Sequence, residues 1–449
     1  MNETILLVIL VVFSFAISRL LSRYASRFFV VSGIEYLLLG IILGPLVTGI
    51  LSPASLAKFA PLVNLLLGLV GFLLGLRARS TLRPANVAVG GSAASLALIA
   101  LVASAVFAFL EYVVGPPADS QAVQFASFYI GDLAQVFGSS AEFIEFGGAA
   151  EYIWVALAIG CAAAVSSPVL IARAASFHRA RGPTLDVLLS YSENSQLIAI
   201  AVFGGTLVWA RAAESADIFR IPITIWLAIT AAVGILIGLL FNLFIGRERD
   251  EMRIYVAALG TVTFASGAGA ALGVSPLIIN LLAGIVVSYT SRHASRLEIT
   301  LTPLRHPILV LLRLFAGAML GIVATPLLWL VPLVYLATRV VARWFTTWSS
   351  TWIVRKLPQV PRLGLGLVGQ GGLAVAIAVS FAQRFPEEAP VALVTILGGI
   401  ILSDIWSYSA VRRILADAGE TDTAVDSDDP SASRTRTQAH QIVDGGHGH

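Results

Sequence analysis

The chain has 449 residues, 57% of them hydrophobic and only 12% charged. A soluble core of that size needs far more charged surface, so the composition excludes a soluble globular protein and indicates a polytopic membrane protein. Lysine and arginine total 29 against 26 acids, a balance that matters less than where the charges sit, and the single Cys161 lies inside an apolar segment, which excludes an internal disulfide.

In chain order, the apolar runs predict about thirteen transmembrane helices, at 4–22, 35–51, 56–76, 86–110, 151–172, 185–210, 222–245, 253–272, 274–290, 306–325, 327–350, 363–383 and 390–411. The expected fold is all-α and polytopic. The first run, Ile5–Ile17, has an acidic residue before it and no small-residue cleavage site after it, so it reads as a retained helix rather than a signal peptide.

Arginines set the expected orientation. With the N-terminus outside and the C-terminus in the cytoplasm, the inner connections hold Arg19, Arg23 and Arg27, then Arg77, Arg79 and Arg83, and so on to Arg412 and Arg413. The outer side keeps only Lys58, Arg211, Arg220 and Arg384, as the positive-inside rule requires of a multi-pass protein of the cell (inner) membrane. The outer connection 111–150 has no basic residue, and its Phe125, Phe128, Tyr129, Leu133, Val136 and Phe137 recur at helical spacing. That spacing fits a helix lying in the interface or one simply packed on its neighbours.

Two spans are interrupted by residues that disfavour helix. Val165-Ser166-Ser167-Pro168 falls in the fifth and Gly369-Gln370-Gly371-Gly372 in the twelfth. Proline removes a backbone donor and glycine weakens helix, so both predict broken helices. Interruptions seven helices apart lie in opposite orientations, as inverted repeats with a site between them demand.

Ser190–Gln196, inside the sixth span, is a polar block reading Ser-Tyr-Ser-Glu-Asn-Ser-Gln. Starting the span only at Leu197 would leave about 22 Å of helix against a core of roughly 30 Å, so the block lies partly in the membrane. Seven helical residues face every direction, hence they are enclosed by protein or border water.

Domain organisation reads as a transporter domain over 1–414, with dimerisation and core parts interleaved, followed by a polar cytoplasmic tail over 415–449 whose composition predicts disorder. His440, His447 and His449 in that tail lack acidic or thiolate partners, so no metal is expected there. No G-x-G-x-x-G follows a strand pattern, and neither H-E-x-x-H nor G-x-S-x-G occurs; no enzymatic activity, cofactor or nucleic-acid partner is expected.

Several motifs, in order, resemble the monovalent cation–proton antiporters of the sodium/proton exchanger superfamily. Tyr36-Leu-Leu-Leu-Gly40-Ile-Ile-Leu-Gly44-Pro45 resembles the second-helix signature, and Ala164-Val-Ser-Ser167-Pro168 the broken fifth helix. Gly273-Val-Ser-Pro276 with Leu282-Ala-Gly284 resembles the ninth helix, and Leu363 to Gly372 the second broken one. The resemblance implies some thirteen helices in a dimerisation domain and a mobile core, a homodimer, and exchange of a cation for protons. The chain departs from the family on the sixth helix. Where Asp-Asp or Asn-Asp is usual, this sequence has Glu193-Asn194, and counting from the Ser-Pro motif points nearer Ser195-Gln196, which leaves two alternatives: Glu193 as a displaced or substituted carrier, or no such carrier.

The residues themselves suggest an oxygen-rich ion site. Ser190, Glu193, Asn194 and Leu197 share a helical face, and hard cations prefer oxygen ligands. Burial raises a carboxylate's proton affinity, which lets proton and cation compete for Glu193. The expected ion- and proton-binding set is Glu193, Asn194, Ser190, Ser192, Ser195 and Gln196, although a membrane serine often bonds only its own helix. Ser166, Ser167, Pro168, Gln370 and Gly371 are expected to line the crossing, where unwound carbonyls offer further ligands. Arg339 and Arg313 are the expected basic partners of Glu193; the alternative for Arg339 is snorkelling with Arg343 toward the cytoplasmic surface. Asp404 and Asn280 are intramembrane polar residues to which the sequence assigns no role. The expected function is exchange of Na⁺ or K⁺ for protons by alternating access, the alternatives being a transport-inactive membrane sensor or partner subunit and a carrier of an anion or small organic solute.

Overall fold

The structure is a computed structural model, and the residues it describes are 33–82, 85–114, 149–214, 222–245, 248, 250–321, 330–353 and 362–421. The predicted first span, the periodic stretch 125–137 and the histidines of the tail lie outside them. Among the described residues the chain is entirely helical. In order the α-helices are α1 (Ile34–Leu43), α2 (Pro53–Lys58), α3 (Ala60–Thr81), α4 (Ala85–Val114), α5 (Ala149–Ala164), α6 (Pro168–Phe177), α7 (Pro183–Glu214) and α8 (Ile223–Ile245). There follow α9 (Glu251–Leu272), α10 (Pro276–Thr290), α11 (Ala294–Leu301), α12 (Arg305–Ala318), α13 (Val331–Ile353), α14 (Gly372–Arg384) and α15 (Ala389–Asp417).

Eight stretches among the described residues are long and apolar enough to cross a membrane, one of them running through the α5–α6 break. α1, α10 and α14 are apolar but shorter; α13 has 23 residues and carries Arg339 and Arg343. This is a multi-pass membrane protein. Twelve of the thirteen predicted spans coincide with helices, with two kinds of difference. The second ends at Leu43, eight residues early, because Gly44 turns extended ahead of Pro45. The last runs on to Asp417, past residue 415, where the sequence placed the start of the tail.

Serine followed by proline starts three of these helices. Ser52, Ser167 and Ser275 each accept a hydrogen bond from the first turn, and the proline next to each occupies a position that needs no donor. Gly273, left-handed at φ 68°, closes α9 and turns the chain into α10.

α3 and α10 pack backbone to backbone. A Cβ built on Gly71 would lie 2.2 Å from the carbonyl oxygen of Leu277, and one on Gly284 would lie 2.5 Å from that of Phe72. α1 and α12 approach the same way, through Gly40 and Gly317. Lipid offers helices no hydrophobic incentive to associate, so close backbone contact through small residues holds such pairs together. Gly40 and Gly284 are thus packing residues within the motifs named above. α8 lies at the periphery and presents Leu236, Leu243 and Phe244 outward, whereas α5, α14 and the first half of α15 are buried and form the centre.

Candidate functional site

At that centre two helices break against each other. After Ala164 the backbone leaves the helix at Val165–Ser167 and resumes at Pro168; after a 3₁₀ turn, Leu363–Leu367, the second chain runs non-helically through Val368–Gly371 and resumes at Gly372. Both interruptions fall where Ser-Pro and Gly-Gln-Gly-Gly predicted them. They meet directly: the Ser167 N–H donates to the Gly369 carbonyl at 2.9 Å, and a Cβ on Gly371 would lie 3.3 Å from the Ser167 side chain.

Breaking a helix in the membrane frees carbonyls that must find donors. Here two arginines of α13 supply four of them. Arg339 donates from Nε to Ala163 at 2.9 Å, from Nη2 to Val165 at 3.1 Å, and from Nη1 to Val368 on the opposite strand. Arg343 donates to Ala164 at 2.6 Å and to the Ser166 hydroxyl at 2.7 Å. The Ser166 hydroxyl donates to Leu367, Gln370 donates to Ala162 and to the Tyr335 hydroxyl, and Gln196 donates to Ser166 at 2.7 Å. Every carbonyl from Ala162 to Ser166 and from Leu367 to Gly369 therefore accepts a hydrogen bond from the protein.

This corrects two expectations. Arg339 and Arg343 do not snorkel: they are 0% and 2% exposed. The unwound carbonyls are also not bare, because the guanidinium fork, with its five donors, sits among them.

The polar block of α7 spreads over several environments. Gln196 reaches the crossing and accepts from Arg305 at 3.4 Å. Asn194 turns towards α4, donating to the Ala88 carbonyl at 2.8 Å and the Ser92 hydroxyl at 2.9 Å. Ser190 and Ser195 bond back to their own helix, at Asp186 and Ser192, while the buried Ser192 hydroxyl has no partner. Glu193 is half-buried and accepts from Thr81 at 3.4 Å, at the arginine-bearing end of α3. Neither Arg339 nor Arg313 meets it. Arg313 packs on Gly33 and feels Asp404 and Glu35, and the guanidinium that feels Glu193 is Arg305. A seven-residue helical block points all round its axis, which is why its members do not converge.

The sequence reading assigned no role to Asp404, yet it is the one buried carboxylate among the described residues. It sits midway along α15, where the backbone N–H of Gln370 donates to it and Arg313 and Arg339 are its charged neighbours. Its Oδ1 has no hydrogen-bond partner. An aspartate in an apolar run was the signal available; nothing in the sequence said that α15 lies against the second break. Tyr335, which holds Gln370, gave no signal at all.

Cavities flank the crossing at both ends. A large one is lined by Pro45, Asn64, Leu207, Ser275, Ser380 and Arg384. A smaller one, lined by Arg77, Gln196, Thr302, Arg305 and Leu373, lies on the arginine-bearing side and touches the start of α14.

No protein-family model matches the chain, and no curated protein matches it. Solved structures do. The fold is similar to that of the sodium proton antiporter MjNhaP1 from Methanocaldococcus jannaschii at pH 8, with a TM-score of 0.62 and 16% identity over 92% of this chain and 99% of that one. An electron-microscopy structure of the same antiporter gives a TM-score of 0.57 at 14% identity, over 94% of this chain and 100% of that one. The chain has the fold of a cation–proton antiporter.

Proposed function

We propose that the protein is a secondary transporter that exchanges a monovalent cation, Na⁺ or K⁺, for protons by alternating access, with no enzymatic activity. The observation that carries this reading is the crossing of two interrupted helices between cavities at opposite ends of the bundle. Such a crossing places a site near mid-membrane that rocking of a core domain can expose to either side. The antiporter fold supports it. In this reading Gln196, Ser166, Ser167 and Gln370 line the path, and Glu193, with Thr81 and Arg305, marks its mouth on the arginine-bearing side. That side faces the cytoplasm of a cell-membrane protein working as a homodimer.

One observation favours a second reading. Arg339 and Arg343 bring two buried guanidiniums to the crossing against one buried carboxylate among the described residues, and the α7 side chain that reaches it, Gln196, is uncharged. That surplus of positive charge suits an anion or an acidic organic solute.

Proton flux in proteoliposomes under an imposed pH gradient separates these. Collapse of the gradient on adding Na⁺, K⁺ or Li⁺ is the expected result. A response to anions alone would favour the second reading, and none to either would leave a transport-inactive sensor on the same fold.

A further inference from the structure

Three features of Asp404 set it apart. Among the described residues it is the only buried carboxylate. One of its oxygens has no partner. It also lies on the interrupted backbone itself, because the Gln370 N–H, one residue before the cap of α14, donates to it. α15 presses this stretch closely: a Cβ on Gly369 would lie 2.9 Å from that of Ser407, one turn beyond Asp404.

The charges around the break divide by helix end. Carbonyl ends, carrying partial negative charge, are held by Arg339 and Arg343. The N-terminal end of α14, carrying partial positive charge, has Asp404 as its counter-charge. The charged groups acting on Asp404 are Arg313 from α12 and Arg339 from α13; on its own helix the Ser403 and Ser407 hydroxyls are committed to the Ile400 and Asp404 carbonyls. Glu193, by contrast, is half-buried at the arginine-bearing end.

We propose that Asp404 is the mid-membrane proton-binding site of this protein, in the place that the sequence assigned to Glu193. A proton taken from water on one side adds to the free Oδ1 and later leaves to water on the other, so one proton is bound and one released. Ionised, Asp404 neutralises Arg339 and the start of α14. Protonated, it withdraws that counter-charge from the crossing, which links proton occupancy to how tightly the two breaks are held together. The proposal deepens the antiport reading by naming its proton site, and it can be tested apart from that reading.

The test is an infrared pH titration of the full-length protein in lipid, following the carboxylic-acid C=O stretch, for the wild type, Asp404→Asn, Asp404→Glu and Glu193→Gln. The expected result is a titrating buried-carboxyl band that is lost in Asp404→Asn, shifted in Asp404→Glu and kept in Glu193→Gln. The Asp404→Asn protein should melt as a single folded species, and Asp404→Glu guards against loss of the band through misfolding. A band that survives Asp404→Asn, or a wild type with no such band, overturns the proposal whatever the flux assays show. A titrating Asp404 in a protein that moves no cation upholds the proton site and counts against antiport alone.

Discussion

The Ser167 N–H and the Gly369 carbonyl, 2.9 Å apart, tie the two interrupted helices to each other at their broken points. With the carbonyls of Ala162 to Ser166, Leu367 and Val368 already served by Arg339, Arg343, Gln196, Gln370 or Ser166, the crossing is a connected hydrogen-bond network. In such a network, removing one donor costs more than the bond itself, because a buried acceptor is left unpaired.

Arg339→Ala should therefore be severely destabilising. It orphans carbonyls at Val165 and Val368, at about 1–3 kcal/mol for each unsatisfied group, and leaves Ala163 only the longer bond from Arg343 at 3.4 Å. Arg339→Lys should recover part of that loss but not all, since an ammonium lacks the planar fork that spans two strands. Thermal melting in detergent, comparing both variants with the wild type, checks the order. Equal stability of the alanine variant and the wild type would contradict it.

Glu193→Gln should be mild. The side chain is half-buried and its hydrogen bond to Thr81 is long, at 3.4 Å, so the expected stability change is within about 0.5 kcal/mol. Cation-triggered proton flux should persist in this variant and vanish in Asp404→Asn. The reverse pattern in proteoliposomes would restore Glu193 as the carrier.

Gly71→Ala should pry α3 from α10. The added Cβ would lie 2.2 Å from the Leu277 carbonyl oxygen, which is backbone and cannot swing aside, so a loss of about 1–3 kcal/mol is expected. Gly205→Ala, where nothing lies within 4 Å of the new atom, is the matched control. A chemical-denaturation or melting series should show the first variant destabilised and the second not.

Glu420 follows α15 and caps α7, accepting from the backbone N–H groups of Thr184 at 2.7 Å and Leu185 at 3.0 Å. A carboxylate at a helix N-terminus satisfies free donors and opposes the positive end of the dipole. Glu420→Ala should cost about 1 kcal/mol and Glu420→Gln less. Hydrogen exchange of the Thr184 and Leu185 amides is the direct measurement, with faster exchange expected in the alanine variant.

The sequence by itself determined the membrane class, nearly all the helices, and the two breaks. Each of these follows from local chemistry: apolar runs long enough to span a bilayer, and Pro168 or Gly369, Gly371 and Gly372 where a helix cannot be sustained. The resemblance carried by Gly40, Gly284 and the Ser-Pro motif reached the right fold because close helix packing leaves a mark in small residues. What only the tertiary structure decided is which polar groups meet. Ser190 to Gln196 are neighbours in sequence, yet a helix aims them at α4, at α3, at the crossing and at their own backbone. Asp404, Tyr335 and Arg343 come from other helices altogether and converge on the breaks. Pairing across a bundle depends on helix rotation and register, which one turn of sequence does not encode, whereas a freed carbonyl in an apolar interior must be met by whichever donor the fold brings to it.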